Sequence, residues 1–170
     1  LVQVIKEPIG TKGARLTTHL SIPACYLVYM PGAGTIGVSQ KIEDEAERAR
    51  LRNVVRELAR QRSGANLPPE ADGITDEASP GGIRDGYIVR TAAEGASRED
   101  IKGDIDRLSG IWEGIDRDAK SAAAPALIYE EPPLVIRVIR EHFTRDFKRL
   151  LVDDRKTYDQ ILSYLGGTES

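Results

Sequence analysis

The hydrophobic period of this chain switches near Asp44, and the switch limits the folds available to it. Ahead of it, "LVQVIKE" alternates weakly and is rich in branched residues. "RLTTHLSI" and "CYLVYM" follow, parted at Pro23, and "IGVS" comes after the turn "PGAGT". Such segments read as short strands. Beyond it, Glu47, Leu51, Val54, Val55 and Leu58 recur at three- and four-residue steps, and acids crowd the first turn, where the helix dipole favours them. That spacing predicts a helix fading near Arg62. Forty residues of β pattern followed by a long helix confine the chain to the α+β class.

The rest of the sequence keeps both periods. "SGANLPPEADGITDEASPGG" holds three prolines and four glycines with no apolar face, and residues 63–85 are expected to be a mobile acidic loop. The apolar run Tyr87-Ile88-Val89 then reads as a strand. Ser97 and Asp100 have the spacing of a capping box opening a helix. Ile101, Ile105, Leu108, Trp112 and Ile115 form one apolar seam along it, with Trp112 in the core. In the last third, "PALIYE" and "FKRLLVDD" read as strands. They alternate with the helices "PLVIRVIREHF", opened by Pro133, and "KTYDQILSYLG", closed by Gly166 and Gly167, as a parallel or mixed sheet requires.

Composition removes several classes of function. The longest apolar runs fall far short of the roughly 18 residues a membrane span needs. One cysteine, Cys25, cannot form an internal disulfide, and with two histidines it leaves little for a zinc site. A reducing, cytoplasmic setting fits. The net charge of −3 is unlike the basic footprint of most nucleic-acid binders. Yet the only charges between Gly64 and Ile83 are Glu70, Asp72, Asp76 and Glu77, and setting these four aside leaves the remainder at +1. The start on strand-like residues without a methionine reads as a piece of a longer protein, although tag removal would give the same start.

"YIVRTAAEG" carries the clearest chemistry. Arg90 and Thr91 stand together between a strand and a helix. A guanidinium offers planar, paired, charge-assisted donors to an oxyanion, and threonine adds a hydroxyl and a main-chain N–H. Judged alone, an arginine at a strand end is ordinarily a solvated or salt-bridged surface group. But "KEPIGTKGARLTTHLSIP", "YLVYMPG", "GVSQKIEDEAER", "YIVRTAAEGAS" and "PALIYEEPPLVIRVIRE" occur together in one order. In that order the chain resembles the ribonuclease E/G family of bacterial endoribonucleases.

The resemblance implies a layout. Residues 1–18 match the closing strands of an S1-type (OB) RNA-binding barrel, 19–122 the family's 5′-sensor, and 124–165 part of its ribonuclease H-like subdomain. It implies a single-strand-specific endoribonuclease of RNA processing and mRNA decay. Such a parent would be a cytoplasmic homo-oligomer whose magnesium-holding aspartates lie in a DNase I-like subdomain beyond this chain. No catalytic residue, no metal ligand and no cofactor is assigned to the chain itself; Asp153-Asp154, expected at a strand end, lacks the family's catalytic context. The partner implied is single-stranded RNA with a 5′-monophosphate, held by Arg90 and Thr91.

Further site residues follow from the same resemblance. Val28 matches a position whose backbone contacts the terminal nucleotide, and Lys41 keeps one of two basic places. Gln40 stands where an arginine is usual, which removes a charge. Ala24 stands where a glycine is usual, and its methyl could obstruct a backbone N–H from reaching phosphate. Lys12, in "IGTKGA", matches a basic residue on the barrel's RNA path. Seven lysines and arginines from Arg137 to Lys156 make a mild basic surplus; the helix face that carries Arg137, Arg140 and Glu141 reads as a wet face, and His19 and His142 lack partners for a triad or a metal. Two functions stay open. One is a 5′-phosphate sensor; the other is a non-catalytic module that braces its parent without binding phosphate. A phosphate at Arg90 and Thr91 would mark the first, an arginine locked to a carboxylate the second.

Overall fold

The computed structural model describes residues 1–63, 84–143 and 147–166. The expected acidic loop falls almost wholly outside them. The chain divides into two compact units, Leu1–Ala123 and Ala124–Ser170.

In the first unit, β1 (Gln3–Lys6) and β2 (Arg15–Thr17) form an antiparallel pair, with Gln3 opposite Thr17. Val4, Ile5 and Leu16 are exposed on it. No closed barrel is present among the described residues; this two-stranded pair is what the expected barrel strands form. A second sheet has the order β3-β4-β6-β5, built from β3 (Ile22–Pro23), β4 (Leu27–Met30), β5 (Ile36–Val38) and β6 (Gly86–Val89). The strands β3, β4 and β6 are antiparallel neighbours, and β5 runs parallel to β6.

Helix α1 (Glu45–Ser63) begins where the period switches. The Asp44 carboxylate accepts the N–H of Ala46 at 2.8 Å, satisfying a donor that the first turn cannot pair internally. Helix α2 (Arg98–Ser121) opens on a complete capping box: Asp100 N–H donates to Ser97 Oγ at 3.1 Å, and Ser97 N–H donates back to Asp100 Oδ2 at 3.0 Å. A cap of this kind contributes about 1 kcal/mol. Leu51, Val55 and Leu58 of α1 and Ile101, Ile105 and Leu108 of α2 close over Leu27, Tyr29, Tyr87 and Val89, all buried. The alternation Tyr87 in, Ile88 out, Val89 in follows from the two-residue period of a strand. Trp112 is only partly buried, packed on the rim of this core with its ring 6.4 Å from that of Tyr29.

The second unit departs from the sequence reading. Its described elements are α3 (Leu134–His142), preceded by Pro133 as read, and α4 (Arg155–Gly166). "PALIYE" and "FKRLLVDD" form no strand, so the expected alternation of strand and helix is corrected, among the described residues of this unit, to two helices without strands. The reason is pairing. A strand is stable only when a neighbour takes its N–H and C=O groups, and the described part of this unit has none to pair with. Leu127 and Leu151 accordingly remain 79% and 81% exposed. Ile136, Ile139 and Ile161 form the small core between α3 and α4. Asp154, expected at a strand end, instead caps α4 by accepting the Thr157 N–H at 2.7 Å.

Candidate phosphate site

Strand direction gathers the site. Because β5 and β6 are parallel with Val38 opposite Val89, the residues that follow both strands emerge at the same end. Because β4 is antiparallel to β6 with Leu27 opposite Val89, the turn that precedes β4 arrives there too. Three segments distant in sequence therefore meet: Ala24–Tyr26, Ser39–Lys41 and Arg90–Thr91.

Arg90 is half-buried at the end of β6. Its backbone N–H donates to the Tyr26 carbonyl at 2.8 Å. Its guanidinium Nη1 donates to the carbonyls of Ala24 and Cys25, the latter at 3.2 Å. Two acceptors on one nitrogen of a planar group fix the direction in which that group faces. Thr91 starts a short 3₁₀ turn, Thr91–Ala93, and its hydroxyl oxygen lies 3.3 Å from that of Ser39. Ser39 is held in turn: its N–H donates to the Val89 carbonyl at 2.9 Å, and its Oγ accepts the Lys41 N–H at 3.3 Å. Gln40 and Lys41 are exposed beside the hydroxyl pair.

The loop after Thr91 is clamped from α1. Glu47 Oε1 accepts the N–H of Gly95 at 2.9 Å, and Arg50 Nη2 donates to the Ala96 carbonyl at 2.9 Å while its Nε meets Glu47 Oε2 at 2.6 Å. Gly95 adopts φ +74°, a conformation that favours glycine, and this aims its N–H at Glu47. The Arg50 guanidinium, followed by the Gly95 N–H, holds the Glu47 carboxyl down at about 2.

The turn before β4 is clamped from α2. Asp104 is 8% exposed and accepts the N–H groups of Tyr26 at 2.6 Å and Leu27 at 3.1 Å. Burial pushes its carboxyl up from the ordinary aspartate range, against the opposing pull of those N–H groups and of the nearby Arg107.

The structure thus brings Arg90, Thr91, Gln40 and Lys41 together and gives the other expected site residues different positions. Ala24 is buried, with its N–H donating to the Leu27 carbonyl at 2.8 Å, so its contribution is the carbonyl that receives Arg90. Val28 lies inside β4, opposite Ile88 on one side and Pro23 on the other, which puts its backbone within the ladder rather than at an open edge. Lys12 is exposed at the tip of the β1–β2 hairpin, bridged to Ile9 and apart from the cluster. Ser39 and Asp104 have no role in the sequence reading, and Glu47 enters it only as the first member of the α1 pattern. Asp104 left a trace there, as an acid three residues from Ile101 and four from Leu108 on the buried side of α2. Ser39 lay inside the quoted "GVSQK" without a role. Among the described residues no three His, Cys, Asp or Glu side chains gather to hold a metal ion, and no helix is long and apolar enough to cross a membrane.

Comparison with known proteins shows the family of the chain. The family model of the Ribonuclease E/G family matches residues 21–170. Ribonuclease G of Salmonella typhimurium (strain SL1344) is 38% identical over 164 residues, which are 96% of this chain and 29% of that protein. Ribonuclease E of Nostoc sp. is 35% identical over 165 residues, 97% of this chain and 21% of that protein. The chain spans less than a third of the length of either relative. The RNase P protein of Staphylococcus aureus superposes with a TM-score of 0.40 and 15% identity over 55% of this chain and 81% of that one, too loose a likeness to bear on function. Matched by the family model from residue 21 onward and by these relatives over nearly its full length, the chain belongs to the ribonuclease E/G family.

Proposed function

We propose that this chain is the substrate-selecting part of an endoribonuclease, in which Arg90 and Thr91 hold the 5′-monophosphate of single-stranded RNA. The carrying observation is the meeting of a fixed guanidinium, a Ser39–Thr91 hydroxyl pair and the exposed Lys41 at one end of β5 and β6. A phosphate dianion is matched by such a set: charge-assisted donors from arginine, hydroxyl donors, and a nearby ammonium. Gln40 supplies polarity without charge, which leaves the site weaker than one with two basic residues there. On this reading, residues 1–18 belong to an S1-type barrel, 19–122 to a 5′-sensor and 124–165 to a ribonuclease H-like subdomain. Hydrolysis, with its magnesium, belongs to other parts of a cytoplasmic, homo-oligomeric parent, and no step of it is assigned to the residues described.

A second reading has one observation in its favour. The carbonyls of Ala24 and Cys25 grip Arg90 as they would a purely structural arginine, and the module would then brace its parent without touching phosphate.

Fluorescence anisotropy with matched 5′-phosphorylated and 5′-hydroxyl oligonucleotides decides between them. Hydrogen bonds to a charged group contribute about 1.5–3 kcal/mol, so Arg90→Gln is expected to weaken binding of the phosphorylated RNA by roughly ten- to a hundredfold. Binding of the hydroxyl RNA is expected to stay the same. A folded wild-type chain that binds both oligonucleotides equally at low salt would leave only the bracing role.

A further inference from the structure

Three consecutive peptide units, Ala24–Cys25, Cys25–Tyr26 and Tyr26–Leu27, are trans, so each directs its N–H and its C=O to opposite sides. All three divide those groups in the same way. On one side the N–H groups of Tyr26 and Leu27 donate to Asp104 Oδ2 at 2.6 and 3.1 Å, and the N–H of Cys25 faces the same side, opposite the Ala24 carbonyl of its own peptide unit. On the other side the carbonyls of Ala24 and Cys25 accept from Arg90 Nη1, and the Tyr26 carbonyl accepts the Arg90 backbone N–H at 2.8 Å. A carboxylate and an arginine thus sit at opposite ends of three parallel amide dipoles.

The fold by itself does not call for an acid at this place. Asp104 is 8% exposed among Ile101, Ile105 and Leu108, where an apolar residue would continue the seam. A buried carboxylate is costly unless its lone pairs are used. Its lone pairs are used on the turn that presents the carbonyls to Arg90. Hydrogen bonds in series also polarise one another, so an anion on the N–H side strengthens the carbonyls as acceptors for a cation.

We propose that Asp104 is a positioning residue for the phosphate site, which fixes the direction of the Arg90 guanidinium through these three peptide planes. The proposal rests on the assignment of Arg90 to phosphate and deepens it: preference for 5′-phosphorylated RNA depends on a carboxylate buried behind the turn. Asparagine at 104 has one acceptor oxygen and an amide that can only donate. That oxygen can stand where Oδ2 accepts the Tyr26 and Leu27 N–H groups, but without the negative charge those bonds weaken and the carbonyls opposite lose their polarisation, so Arg90 loses its fixed direction.

The test uses the 170-residue chain as wild type, Asp104→Asn, Arg90→Gln and the double variant. Anisotropy is read with the two oligonucleotides and nitrogen-15 NMR with the Arg90 guanidinium, after circular dichroism confirms folding. In Asp104→Asn the preference for 5′-phosphate is expected to fall at least fivefold, with binding of the hydroxyl RNA unchanged and no further fall in the double variant beyond Arg90→Gln. The guanidinium protons, resolved in the wild type by hindered rotation, are expected to average in Asp104→Asn, which a purely structural aspartate would not cause. A folded Asp104→Asn chain that keeps both the preference and the resolved signals overturns the proposal. If the wild type shows no phosphate preference, the assignment of Arg90 falls, and the guanidinium signals alone judge whether Asp104 orients it: averaged signals uphold that link, unchanged signals end it. If Asp104→Asn does not fold, Arg90→Gln probes the chain of peptides from its other end. The amide protons of Tyr26 and Leu27 should then move upfield, and amide protons that stay in place overturn the proposal.

Discussion

The hydroxyl oxygens of Ser39 and Thr91 lie 3.3 Å apart, although 52 residues separate them, because each follows a strand of the same parallel pair. Thr91 therefore brings two hydroxyls to the site, its own and the one it holds. Thr91→Val keeps the shape and removes both that hydrogen bond and a donor to phosphate. A hydrogen bond to a charged group contributes about 1.5–3 kcal/mol, so binding of 5′-phosphorylated RNA is expected to weaken roughly tenfold to a hundredfold. Anisotropy against the hydroxyl oligonucleotide checks it; equal loss on both ligands would mean that Thr91 serves the fold and not the phosphate.

Gln40 is exposed immediately after Ser39, where an added cation would face the same ligand. Gln40→Arg is expected to tighten binding of the phosphorylated oligonucleotide and leave the hydroxyl one unchanged. The gain should shrink as salt rises, because exposed charges more than about 8 Å apart are screened at physiological ionic strength. A titration at two salt concentrations measures it. A gain of equal size on both oligonucleotides would place residue 40 on the general RNA path instead.

Glu47 ties α1 to the loop that follows Thr91, and its pH dependence exposes that tie. Arg50 and the Gly95 N–H hold its carboxyl at about 2, below the ordinary 4.5. A lowered folded value means the unfolded chain takes up the proton first. The stabilisation is complete above 4.5 and is lost as pH falls from there toward 2. Urea midpoints measured down this range should fall more steeply for the wild type than for Glu47→Gln. Parallel curves would show that the clamp contributes nothing.

The chain alone is expected not to cut RNA. Metal-assisted hydrolysis needs ligands that set a bound water near neutral ionisation, and on the reading proposed above those ligands belong to other parts of the parent. Incubation with labelled 5′-phosphorylated RNA and magnesium should leave the substrate whole. Cleavage that survives repurification and disappears with a point substitution in this chain would put catalysis inside it.

Short-range features were legible in the sequence because their partners lie within about four residues. The start of α1 by Asp44 and the capping box of Ser97 and Asp100 depend on neighbours of that kind, and each formed as read. The pair Arg90-Thr91 was legible for a similar reason, as adjacent residues inside one contiguous motif. The misreadings all needed a partner far along the chain. "PALIYE" and "FKRLLVDD" have the composition of strands, but strand formation depends on a neighbour's hydrogen bonds, which no property of the segment itself supplies. The tertiary structure alone set Ser39 against Thr91, and Asp104 against a turn 77 and 78 residues away. A parallel register and a buried carboxylate's choice of donors are decided by packing, when helix and sheet compete for the same interior, and an amino-acid order carries only the residue types that make those pairings possible.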